Sequence, residues 1–250
     1  MSDDDSKDLQ EDSIDLSRRS FLKNTGIAAG GVVGGALLGG LVGNPFKTKE
    51  EMPAPLKIDY TEARQFFKRK DDFEVLSMAT ERIFPEDDIG PGAIKLGVPY
   101  YIDRQLAGLW GVNAKEYREG PFYEGEPNQG YQNRLNRQEI FQIGIKAIKD
   151  HSEKEYDGKF QDLDGEQQDK ILKALEEDDI KMTGIHSSIF FDLLRTATLE
   201  GVYADPSYGG NKNMDGWKMK EYPGAQLSYF DDVENEDFIK IKPKALNDYQ

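Results

Sequence analysis

From about residue 60 to residue 203 the apolar residues recur with the helical period, and no run alternates as a β-strand would. Phe73, Leu76, Ala79 and Ile83 share one face, and Pro85 stops that helix because its ring cannot follow a helical residue. Pro99 suits a first helical turn, with Val98, Tyr101, Ile102, Leu106 and Leu109 as the next stripe. Asn136 with Glu139 spells an N-cap and its reciprocal partner three residues on, ahead of Ile140, Phe141, Gly144, Ile145 and Ile148. Asp164 with Gln167 repeats the device before Ile171, Leu172 and Leu175. Ser187 is placed to cap a fifth helix, with Phe190, Phe191, Leu194, Ala197 and Thr198 inward and an end near Gly201. The pattern predicts an all-α fold: a single helical domain over 60–250 with long ordered loops.

The loops lie at 84–97, 111–135 and 203–224. Loops of that length inside a compact domain are functional or disordered. Tyr203, Tyr208, Trp217 and Tyr222 oppose disorder in the last one.

Charge divides the rest of the chain. Residues 1–16 carry seven carboxylates against Lys7, a net of -6, and read as a disordered acidic leader. Residues 17–50 are basic, a net of +4, and the remainder is acidic again, within a total of -15. Such a balance opposes nucleic acid as a partner, since phosphate binding needs clustered Lys and Arg. With no cysteine, the chain has no disulfide, thiolate zinc site, iron–sulfur ligand, thiol nucleophile or covalent c-type haem attachment.

Within 17–43, Ser17-Arg18-Arg19-Ser20-Phe21-Leu22-Lys23 precedes a charge-free run from Gly26 to Gly43. A positive segment before a short apolar one is the layout of an export signal, and the paired arginines followed by Phe21, Leu22 and Lys23 make it the twin-arginine type. The alternative is a membrane-spanning helix. Eighteen residues at about 1.5 Å each fall near the roughly 30 Å of a hydrocarbon core, but the many glycines suit an export signal better. No A-x-A site precedes Asn44-Pro45, which leaves a cleaved signal and an uncleaved anchor both open. Residues 44–59, with Pro45, Pro53 and Pro55 among charges, read as a linker. The twin-arginine route carries folded proteins, often with a cofactor already installed, so the chain binds one or travels with a partner that does.

Catalytic candidates are sparse. His151 sits among Asp150, Glu153 and Lys154 as a surface residue would, and His186 abuts the expected cap Ser187. Glu86, Asp87 and Asp88 are the most placeable carboxylates for a hydrolytic pair, though a charge run is usually a solvated face. Asn211, Asn213, Asp215 and Gly216 imitate half a calcium loop, but the twelfth position is Tyr222. The 203–224 loop reads either as a contact surface of stiff aromatics and close-approach glycines or as a self-packed cover on the core.

Several segments together resemble the small subunit, subunit 3, of gluconate 2-dehydrogenase-type complexes. They are the twin-arginine signal, Ala79-Thr80-Glu81-Arg82-Ile83-Phe84-Pro85 leading to Gly90-Pro91-Gly92-Ala93, and Tyr100-Tyr101-Ile102-Asp103. The longest is Leu199-Glu200-Gly201-Val202-Tyr203-Ala204-Asp205-Pro206-Ser207-Tyr208-Gly209-Gly210-Asn211, with Gly216-Trp217 and Tyr222-Pro223-Gly224. The resemblance implies a non-catalytic escort without a cofactor of its own. Its partners would be a large FAD-bearing subunit that oxidises a sugar, sugar acid or polyol, commonly a subunit with haem c, and the twin-arginine export machinery. It places the complex on the extracytoplasmic face of the membrane, and it makes the 203–224 loop the candidate partner interface, with 84–97 and 111–135 as further contact loops. The competing class is a free-standing exported hydrolase using carboxylates.

Overall fold

The computed structural model describes residues 62–123, 126, 133–230 and 232–249. The acidic leader, the export residues Ser17, Arg18, Arg19, Phe21, Leu22 and Lys23, the apolar run 26–43 and the linker 44–59 lie outside the described residues. Residues 58–250 cluster as one compact unit. Its described part is helical and holds no β-sheet, with isolated bridges only, such as Asp87–Gly90 and Met182–Ile185.

Five main helices build it: α1 (Lys70–Ile83), α2 (Val98–Ala107), α3 (Arg137–Tyr156), α4 (Gly165–Glu176) and α5 (Ser187–Tyr203), followed by a short α6 (Asp215–Met219). Asp71 and Asp72 sit in the first turn of α1, where the helix dipole favours negative charge. That helix ends at Ile83, and Phe84, held out of the helical region by Pro85, donates its N–H to the Thr80 carbonyl at 2.9 Å. Both capping boxes form. The Asn136 side chain accepts from Glu139 N at 2.9 Å while the Glu139 carboxylate accepts from Asn136 N at 2.7 Å. Asp164 and Gln167 exchange bonds in the same way at 2.9 and 3.3 Å.

α5 lies at the centre, packed against the other four main helices. Its Phe190 is fully buried and meets Phe141 of α3 edge to face at 5.6 Å. Gly144 makes that approach feasible, because a Cβ there would lie 2.4 Å from the Phe190 ring.

Two local expectations change. Leu109 does not continue the α2 stripe: the helix stops at Ala107, extended Gly108 breaks the period, and Leu109 is 69% exposed. Ser187 is not the cap of α5 but its first residue, after His186, which makes no side-chain cap bond. The buried Ser187 hydroxyl donates to the Leu175 carbonyl at 3.0 Å and to Asp178 Oδ1 at 3.2 Å. Asp178, upstream in the α4–α5 loop, also accepts from Ser188 N at 3.4 Å and so serves as the cap at a distance.

Candidate partner interface

The 203–224 loop leaves the last turn of α5 and folds back over that helix. Asp205 starts it: Oδ1 accepts from Ser207 N at 2.9 Å, which opens the 3-10 turn Pro206–Tyr208. Gly209 ends the turn with φ of 100°, in the region that favours glycine. Gly210 then crosses α5 so closely that a Cβ would stand 2.2 Å from the Gly201 carbonyl oxygen. Asn211 is fully buried and joins both limbs of the loop, donating Nδ2–H to the Ala204 carbonyl at 2.8 Å and accepting from Gly216 N at 2.8 Å. Trp217 of α6 is 5% exposed, and its indole N–H donates to the Tyr203 carbonyl at 2.7 Å. Tyr222 N donates to the Trp217 carbonyl at 2.9 Å while the two rings meet edge to face at 5.5 Å. Lys212 N donates to the Leu96 carbonyl at 3.0 Å, which fastens this loop to 84–97.

Gly210, Asn211, Gly216, Trp217 and Gly224 thus pack inward, and Tyr203, Asp205, Pro206, Gly209 and Pro223 are half-buried. The surface this frame presents is led by Tyr208, 54% exposed, and Tyr222, 50% exposed. Asp205 also has a second partner: Oδ2 accepts from Leu246 N at 2.9 Å. Burial pulls the Asp205 carboxyl upward, but the hydrogen bonds from Ser207 and Leu246 outweigh it and hold the group below the ordinary carboxylate value. On the neighbouring α2, burial pushes the Tyr101 hydroxyl up to about 12, helped by Glu200 and Tyr208 nearby.

The other motif residues are also structural fasteners. Glu81 spans the 84–97 loop, with Oε2 accepting from Ile94 N at 2.8 Å and Oε1 from Glu86 N at 3.2 Å. Gly92 is required beside it, since a Cβ would lie 2.6 Å from the Glu86 backbone nitrogen as well as 2.1 Å from Glu81 Oε1. Arg82 makes a two-pronged pair with Asp169 of α4, both contacts 2.7 Å. Asp103 on α2 is fully buried and accepts from the backbone amides of Gln65, Phe66 and Phe67, the last at 2.8 Å. It ties the segment entering α1 to the core. The sequence placed Asp103 in a motif without showing this role; the only hint was a carboxylate embedded in the apolar stripe Tyr101, Ile102, Leu106.

The candidate catalytic groups are spread apart in function. His186 Nδ1 lies 2.5 Å from Asp178 Oδ2, on the surface. Ser187 turns its hydroxyl to Leu175 and Asp178, so the three do not form a nucleophile–base–orienter relay. His151 lines an open groove with Lys146, Asp150, Lys154 and Met182. Glu86 pairs with Lys95 at 2.5 Å, and Asp87 accepts from Ile89 N at 2.8 Å to shape the loop tip. Among the described residues no group of three or more His, Asp or Glu is placed to hold a metal ion, and no helix is long and apolar enough to cross a membrane.

In this helical domain Glu81, Asp103, Asp205, Asn211 and Trp217 each fasten the chain's own loops. Comparison with protein families identifies the class: a model described as "Gluconate 2-dehydrogenase subunit 3" matches residues 70–224, from the first residue of α1 to the end of the closed loop. That is more than half of the chain, and the protein belongs to the gluconate 2-dehydrogenase subunit 3 family. Membership implies association with other subunits of a dehydrogenase complex. Neither curated proteins nor solved structures gave a match.

Proposed function

We propose that the chain is the non-catalytic small subunit of a flavin-dependent sugar or sugar-acid dehydrogenase complex and escorts the flavoprotein subunit through the twin-arginine route. The observation that carries this reading is the family match over 70–224. It is supported by the consumption of the motif residues in internal bonds, Asp103, Glu81, Asn211 and Trp217 among them. In this reading FAD, and haem c where a cytochrome subunit is present, reside on the partners. The 203–224 loop meets the flavoprotein through Tyr208 and Tyr222, aromatic residues of the kind that anchor interfaces. Arg18 and Arg19 then direct export of the folded pair to the extracytoplasmic face of the membrane.

The test is the double variant Arg18→Lys, Arg19→Lys, expressed with the flavoprotein. The escort role predicts active flavoprotein retained inside the cell. Export at the wild-type level would refute it.

A further inference from the structure

Beyond the family-matched residues, the chain from Ala225 to Lys244 leaves the motif loop and returns to it. Its two ends are fastened side by side: Ala225 N donates to the Lys244 carbonyl at 2.8 Å and Lys244 N to the Pro223 carbonyl at 3.2 Å. Leu246 N, just past the return, is held by Asp205 of the same loop. Lys240 adds an ion pair to Glu221 at 3.2 Å. Between these fastenings, residues 227–238 carry Leu227, Tyr229, Phe230, Val233 and Phe238, all exposed, with Phe230 at 85% and Phe238 at 90%. Interleaved with them are five carboxylates and no Lys or Arg. Among the described residues, Asp232, Glu234, Glu236 and Asp237 make no ion pair.

Exposed aromatics in a segment pinned at both ends are a surface awaiting cover, and interface anchors are drawn from such residues. The charge selects what covers them. A second copy of this chain, with a net charge of -15, would repel the segment, and so would an anionic lipid surface. We propose that residues 227–238 are a second docking element, seated in a basic-rimmed apolar groove on the dehydrogenase subunit. This rests on the subunit reading above and adds to it the chemistry of the partner's surface. The aromatic side chains supply the anchors, and the carboxylates supply register and faster encounter.

The experiment measures binding of the full-length chain to the recombinant dehydrogenase subunit of its complex at low and high salt. Three variants are compared: Phe230→Ser with Phe238→Ser; Glu234→Gln, Glu236→Gln with Asp237→Asn; and Tyr208→Ala with Tyr222→Ala. All three alter exposed side chains, and circular dichroism checks that each variant folds. The proposal expects each of the first two to weaken binding at least tenfold, and the carboxylate variant to lose most of the salt dependence. If only Tyr208→Ala with Tyr222→Ala weakens binding, the second docking element is overturned and the loop reading survives. If only the first two do, the element stands and the loop reading falls. If they leave subunit binding unchanged but reduce self-association, or binding to vesicles of phosphatidylcholine and phosphatidylglycerol, the occupant is a second copy or a membrane and the proposal is wrong. A wild-type chain that binds no dehydrogenase subunit overturns the subunit reading itself.

Discussion

The Trp217 indole N–H reaches back 14 residues to the Tyr203 carbonyl at 2.7 Å, closing the motif loop onto the last turn of the helix it leaves. Trp217 is therefore spent inside the chain. Replacing Trp217 by Ala should cost roughly 3–5 kcal/mol of stability, the range for emptying a large buried site. Trp217→Phe keeps most of the packing but orphans the carbonyl, for about 1–3 kcal/mol. Urea unfolding measures both. A Trp217→Ala variant as stable as wild type would mean the ring is not part of the core.

The Asp103 carboxylate holds the backbone that leads into α1. Asp103→Ala should leave the amides of Gln65, Phe66 and Phe67 without their buried acceptor, at about 1–3 kcal/mol, and should free that segment from the core. Limited trypsin digestion would then cut at Lys68 and Arg69 well before the helical body. Unchanged protection there would contradict the tether.

Gly210 passes over the Gly201 carbonyl with no room for a methyl group. Gly210→Ala should destabilise by about 1–3 kcal/mol, the usual cost of overpacking, with Gly120→Ala as a control at a position where a Cβ would meet only ordinary contacts, the nearest at 3.6 Å. Thermal unfolding of the two variants gives the comparison.

Hydrogen bonds from Arg69 and then Lys149 hold the Asp71 carboxyl well below the ordinary value of about 3.9. A depressed folded-state pKa contributes stability that is fully present above the unfolded value and is lost as pH falls toward the folded one. Asp71→Asn should therefore lower the urea midpoint at neutral pH. The gap to wild type should narrow steadily below about pH 4. Because Arg69 is exposed and Asp71 and Lys149 are only half-buried, added salt should shrink the gap as well. A gap that widened in acid would have the wrong sign.

Much of the fold was legible because helices are written locally. The capping pairs Asn136–Glu139 and Asp164–Gln167, Pro99 and the apolar stripes act within a few residues of themselves, and each formed. The cap of α5 was not, because its acceptor, Asp178, comes from the preceding loop. Leu109 misled because its spacing continued a stripe that Gly108 had already ended. The motif loop was legible as a unit, but not which of its aromatics faced inward. Trp217 and Tyr222 lie five residues apart in one motif, and only packing against Tyr203 and Gly224 sends the first inside and leaves the second half-exposed. The fastening of the chain beyond Gly224 by Asp205 and Lys244 is a long-range contact with no local spelling.

The proposed escort role makes this domain a companion carried with a flavin-bearing dehydrogenase. Native purification of the tagged full-length chain from its own cells, followed by flavin absorbance and dehydrogenase assay of the eluate, tests it most directly. The escort role predicts a yellow, stoichiometric complex whose dehydrogenase activity follows the large subunit when the two are separated. A colourless monomer that hydrolyses a substrate on its own would contradict it.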